Sequence, residues 1–110
     1  MENRFKKYLM YEKQNGKIIN INEDSFELVD EAFLLFKDLY NTNYGSIEED
    51  DNLISIHTGG WSENEQLIRV FKKTGWWFKN HQITASGGHY YFNTNKYLNK
   101  DWNIIKTEKL

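Results

Sequence analysis

The chain has 110 residues and a mass of 13.2 kDa, enough for one compact domain and too little for two independent cores. Seven Phe, seven Tyr and four Trp exclude a disordered chain, and the absence of cysteine excludes disulfides, iron–sulfur clusters and thiolate zinc sites. A net charge of −2 with a pI near 5.9 does not support the basic footprint of a duplex-DNA binder, and no uncharged apolar run reaches the roughly 18 residues of a membrane span.

In chain order, Lys6–Glu12 reads as a strand through Tyr8, Leu9, Met10 and Tyr11. Asn15-Gly16 supplies positive-φ turn chemistry, and Lys17–Asn22 with Ile18, Ile19 and Ile21 is the return strand. Asp24-Ser25-Phe26-Glu27 resembles a capping box and opens a helix that ends near Asn41–Gly45. Phe26, Val29, Phe33, Phe36 and Tyr40 fall on one stripe of that helix, widened by Leu28, Ala32, Leu35 and Leu39. Asp24, Glu27, Asp30, Glu31 and Asp38 occupy its other side.

Asn43–Asn52 reads as a surface loop, because Glu48, Glu49, Asp50 and Asp51 repel one another and resist burial. The alternating oxygen ligands and central glycine of a calcium loop are missing there. Leu53–Thr58 alternates as a strand, Gly59-Gly60 breaks it, and Ser62-Glu63-Asn64-Glu65 is a second capping box. That helix is expected to run to about Thr74 with Gly75 as its stop. It buries Leu67, Ile68, Val70 and Phe71 and pairs Glu65 with Arg69 outside. Trp76–Thr84 and His89–Asn95 are aromatic-rich strands around Ala85-Ser86-Gly87-Gly88. Adjacent Trp76 and Trp77 then point to opposite faces, leaving one partly exposed. Residues 97–110, with Trp102, Ile104 and Ile105, are a docked tail or last strand, and residues 107–110 are expected to fray. The order ββαβαββ, with a possible final strand, predicts an α+β domain with a mainly antiparallel sheet spanning residues 1–110.

Charge is segregated along the chain. Residues 1–22 carry +3, residues 23–51 carry −9, residues 52–65 carry −2 and residues 66–110 carry +6. Either an acidic surface meets a basic partner, or solvated faces cluster by sign. In the first case Glu31, Asp38, Glu48, Glu49, Asp50 and Asp51 are the partner-binding residues.

The remaining chemistry centres on two glycine turns. Thr58-Gly59-Gly60-Trp61-Ser62 joins a strand to a helix N-terminus, a place where backbone N–H groups can hold an anion. Glu63 and Glu65 oppose a phosphate there, and no lysine follows the glycines, which excludes a P-loop. Histidines occur at positions 57, 81 and 89, with no His-x-His or His-Glu-x-x-His spacing, so no metal and no other cofactor is expected. Pairing Thr84 with His89 in the last hairpin puts Lys79, His81, Ile83, Tyr90 and Phe92 on one face. Asn80, Gln82, Thr84, His89, Tyr91 and Asn93 fall on the other. His57 ends its strand beside Gly59-Gly60, as His89 begins one beside Gly87-Gly88, so the two histidines can form an acid/base pair. No histidine, however, sits in the His-x-Ser/Thr pattern of two-histidine phosphoesterases. The candidate ligand surface is His57, Gly59, Gly60, Trp61, His89 and Tyr91, with aromatic rings able to stack on a base or anchor a protein interface.

The block Thr58-Gly59-Gly60-Trp61-Ser62-Glu63-Asn64-Glu65, followed by Gly87-Gly88-His89-Tyr90-Tyr91-Phe92, resembles a group of small phage and prophage proteins that pair a TGGWSxNE block with a GGHYxF block. The likeness spans roughly residues 53–95. It implies a mobile-element origin, hence a bacterial host cytoplasm, and a single site built from both glycine blocks; it implies no activity. Asn, Lys, Ile, Tyr and Phe supply 49 residues against two alanines, the mutational bias of an A/T-rich genome. The absence of an apolar segment after the charged Met1–Lys7 is likewise what a cytoplasmic chain shows. The resulting expectation is an accessory protein that acts by binding, an anti-CRISPR-like inhibitor of a host defence effector with a basic surface. The alternative is a protein that binds nucleotides or cleaves phosphoesters at the Gly59-Gly60/His89 surface.

Overall fold

The computed structural model describes residues 2–21 and 28–95 and forms a 3₁₀ helix over Glu2–Tyr8, so the strand expected over Lys6–Glu12 begins only at Tyr11. Phe5, Tyr8 and Leu9 are all buried. Their spacing of three and four residues aims them at one side, which an alternating strand would not do. The Met10 N–H donates to the Lys73 carbonyl at 2.6 Å, and Leu9 bridges Thr74, fastening this segment to the middle of the chain.

Strands β1 (Tyr11–Gln14) and β2 (Lys17–Ile21) form a separate antiparallel hairpin. Asn15 at φ 53° and Gly16 at φ 78° make its two-residue turn, the mirror-image turn that matches strand twist. Helix α1 is described over Val29–Leu39, and the capping box expected at Asp24 and Glu27 lies outside the described residues. Ala32, Phe33, Phe36 and Tyr40 are buried on its inner side.

The acidic segment expected as a loop is instead strand β3, Ser46–Asp50, paired antiparallel with β4, Leu53–His57. Asp51 at φ 52°, followed by Asn52, makes the tight turn. Charge repulsion does not prevent a strand here, because β3 is an edge strand in the sheet order β3-β4-β6-β5. Ile47 packs on the core while Glu48, Glu49 and Asp50 keep contact with water. Acidic residues on an edge also discourage pairing with other chains.

Helix α2, Ser62–Phe71, ends before the expected Thr74, and Gly75 does not stop it but opens the short helix α3, Gly75–Asn80. Thr74 is fully buried at that junction. Its Oγ1 donates to the Phe71 carbonyl at 2.8 Å and accepts the Trp77 N–H at 3.3 Å, a side-chain cap. The helical backbone places Trp76 and Trp77 about 100° apart rather than on opposite faces, so both are buried, at 1 % and 8 % exposure. A strand would have sent one into water.

Strands β5 (His81–Ala85) and β6 (His89–Asn93) complete a four-stranded antiparallel sheet. The turn between them has three residues, so Ala85, not Thr84, faces His89. That shift of one residue exchanges the faces expected for Ile83 and Thr84. The architecture is α+β. Ile54, Ile56, Tyr90 and Phe92 point from the sheet into the core against α1, α2 and α3. The other face carries Leu53, Ser55, His57, His89 and Tyr91. The tail expected over residues 97–110 lies outside the described residues.

Aromatic rings fill the space between these layers. Phe71 stacks on Phe36 at 4.3 Å and on Trp76 at 5.1 Å between centroids, and Phe33 stacks on Trp76 at 4.6 Å. Phe71→Ala removes the ring shared by the first two of these stacks and is expected to cost about 3–5 kcal/mol, measured as a lower urea midpoint at unchanged slope.

Candidate functional site

The two glycine turns form one structure. Where β4 ends, the Thr58 N–H donates to the Gly88 carbonyl at 2.9 Å. Thr58 Oγ1 accepts the Gly60 N–H at 3.1 Å and donates to the same Gly88 oxygen at 3.4 Å. Gly59, Gly60, Gly87 and Gly88 all have positive φ. Gly88 is constrained twice, since φ is +81° and a Cβ there would run into Thr58 Oγ1. Below the turns, Gly45 leaves room for Tyr40, whose Oη donates to the His57 carbonyl at 2.8 Å. Asn64, buried in the first turn of α2, donates from Nδ2 to the Asn41 carbonyl and accepts the Asn41 N–H through Oδ1, each at 3.0 Å. That clamp fixes the α2 N-terminus against the end of α1. In the sequence Gly45 marks only a helix boundary, and Thr58 and Asn64 figure only as members of the strand, glycine and capping motifs, with no such supporting role assigned.

His57 and His89 are direct cross-strand partners on the outer face of the sheet. Their Nδ1 atoms stand 2.8 Å apart with ring centroids 5.0 Å apart. The centroid separation is close to the largest that this nitrogen contact allows, so the two lone-pair axes nearly share a line. One ring donates and the other accepts. Two protonated rings would oppose N–H to N–H, so the contact holds only while at most one imidazole is charged. Glu48 Oε2 lies 3.9 Å from His57 Nε2, and Tyr91 meets the His57 ring edge-on at 5.9 Å. Glu48 was grouped with the other acids in the sequence. It reaches His57 because Glu48 and Ser46 flank Ile47 on the outer face of β3, and Ser46 is paired with His57.

The other candidate residues separate. Trp61, 38 % exposed, stacks on Tyr44 at 4.1 Å rather than joining His89 and Tyr91. His81 stacks on Trp77 at 4.7 Å, with Nε2 2.7 Å from Thr84 Oγ1, and stands apart from the other two histidines. Among the acids, Glu49 Oε2 pairs with Lys37 Nζ at 3.4 Å on the helix side of β3. Glu31 accepts from Tyr8 Oη at 3.3 Å. Asp38, Asp50 and Asp51 are exposed.

A polar cleft of about 370 Å³ opens along α2, lined by Gly60, Ser62, Glu65, Arg69, Lys72 and Tyr90 among others. The capping box expected at Ser62 and Glu65 does not form. Trp61 occupies the N-cap with no side-chain cap bond, and Glu65 Oε2 accepts from Tyr90 Oη at 2.7 Å. Burial, then the Glu65 hydrogen bond and its negative charge, push the Tyr90 phenol well above its ordinary range; Arg69 works weakly against them. Burial and Glu65 push Tyr40 up to about 12. Both phenols therefore stay protonated in the folded chain.

Comparison with protein-family models, with curated proteins and with solved structures finds no match to this chain.

Gly88→Ala is expected to lower stability by more than about 1 kcal/mol and to lengthen the His57–His89 contact. Chemical denaturation and the histidine side-chain NMR shifts read the two effects. Raised phenol values also fix a pH dependence. The unfolded chain releases the Tyr40 and Tyr90 protons from pH about 10, whereas the folded chain holds them to about 12 at Tyr40 and beyond that at Tyr90. Between these limits the unfolded state binds fewer protons, so stability falls as pH rises above about 10 and is unaffected by these groups below it. Tyrosinate absorbance followed alongside circular dichroism is expected to show these two residues ionising with unfolding.

Proposed function

We propose that the chain acts by binding a protein, as a small accessory protein of the phage or prophage type that inhibits a host effector through an acidic surface. The observation that supports this reading is the edge strand β3. Glu48, Glu49 and Asp50 are exposed along it, and Asp51 is exposed in the turn that follows. The Lys37–Glu49 pair places β3 beside α1. The outer stripe of α1 exposes Glu31 and Asp38, with Leu34 between them at 61 % exposure. An apolar contact rimmed by charge is the usual anatomy of a protein interface. A basic partner surface complements it, with the acids steering association.

The reading is tested by affinity capture from a bacterial lysate with wild type beside a chain in which Glu48, Glu49, Asp50 and Asp51 are reversed to lysine. A protein retained stoichiometrically by wild type, lost from the variant and weakened by added salt is the expected result. Equal capture by a variant that melts like wild type removes the acids from the mechanism.

A second reading is nucleotide binding or phosphoester cleavage at the Gly59-Gly60/His89 surface. The 2.8 Å His57–His89 contact beside two glycine turns favours it, and Glu48 at 3.9 Å from His57 opposes a phosphate there. Under this reading cyclic or linear nucleotides change Trp61 fluorescence and raise the melting temperature. Neither signal is expected if the acidic surface alone carries function.

A further inference from the structure

We propose that His57 and His89 form a binding site for a divalent transition ion of the Ni2+, Cu2+ and Zn2+ group. Imidazole nitrogen is a preferred ligand for these ions. With metal–nitrogen bonds of about 2.0–2.1 Å, two ligand nitrogens stand about 2.9 Å apart at a right angle and about 3.4 Å at the tetrahedral angle. The Nδ1 atoms of His57 and His89 are already 2.8 Å apart. Their rings need to tilt so that the two lone pairs converge on one point instead of facing each other. The proton held between the nitrogens leaves, to solvent or to Nε2 of its own ring, and both Nδ1 lone pairs then bond the ion.

Glu48 supplies the second requirement. A histidine that ligates through one nitrogen commonly donates its other N–H to a carboxylate, which fixes the tautomer. Glu48 Oε2 lies on the Nε2 side of His57, away from His89. At 3.9 Å it is too far for a hydrogen bond, and its charge draws the proton toward Nε2, which leaves Nδ1 free to ligate. The backbone is held as well, since the strands are joined by the Thr58–Gly88 hydrogen bond and Tyr40 bonds the His57 carbonyl. Both histidines are part-buried, so the outer side of the ion faces water. Among the described residues no group of three His, Cys, Asp or Glu side chains converges on one point, so the chain supplies two ligands and water completes the shell. Histidine spacing in the sequence gives no sign of such a site, because the two ligands are 32 residues apart.

The test is a calorimetric titration of the untagged chain with Ni2+ and with Zn2+ at pH 7.5, with melting curves of each variant taken without metal. The expected result is saturable one-to-one binding that raises the melting temperature. His57→Ala and His89→Gln are expected to weaken binding by more than about tenfold, and Glu48→Gln by about 10–100-fold. His81→Ala is expected to bind as wild type does. Absence of saturable binding by wild type, or wild-type affinity in either His57→Ala or His89→Gln, overturns the site. A Glu48→Gln titration identical to wild type overturns the orienting role of Glu48.

Discussion

The burial of Phe71 is the constraint on which the other packing depends. Its ring lies against Phe5 from the N-terminal 3₁₀ helix, Phe33 and Phe36 from α1, and Trp76 and Trp77 from α3. These five neighbours arrive from three separate elements, so one side chain of α2 fixes how the three meet. Aromatic contacts of this kind add about 0.5–1.5 kcal/mol each beyond area burial. They let a chain with only 39 % apolar residues build a core.

That anchoring reaches the glycine turns through α2. Phe71 closes the helix at one end, and at the other Asn64 clamps Asn41. The two attachments set the position of Trp61, Gly60 and Thr58, which precede the helix directly. Thr58 then bonds Gly88, so the β5–β6 turn is carried to the end of β4 and His89 comes opposite His57. Buried Thr58, Thr74 and Asn64 each make specific hydrogen bonds in this arrangement. A buried polar group left unpaired would cost about 1–3 kcal/mol.

The sheet has two chemically different sides. The inner side is apolar and continuous with the helices. The outer side gathers a histidine pair, an aromatic ring and carboxylates from β3. Lys37 offsets part of the acidic charge on the helix side, and Glu48 and Asp50 keep theirs on the outer side. The acids of β3 therefore point in two directions, Glu49 toward α1 and Glu48 toward His57, and the proposed histidine site and the proposed protein-binding surface share β3.

Local pattern determined a good part of this structure. The Asn15-Gly16 hairpin, the α1 inner stripe, strand β4 and helix α2 follow from turn chemistry and from periods of 2 and 3.6 residues, which neighbours only reinforce. The position of His57 before one glycine pair and His89 after another was equally legible, and it placed both at strand ends. What tertiary structure decided lies where local preference and packing disagree. Aromatic-rich Trp76-Trp77 has strand propensity, yet both rings gain burial only as a helix. Four consecutive acids resist pairing, yet an edge position lets the first three pair through the backbone and keep their water. The turn after Ala85 is one residue shorter than the local signal suggests, and the Gly88 carbonyl at its end accepts the Thr58 N–H. Glu48 beside His57 follows from that edge strand alone. A contact between residues far apart in sequence depends on register, and register is set by what each face must bury.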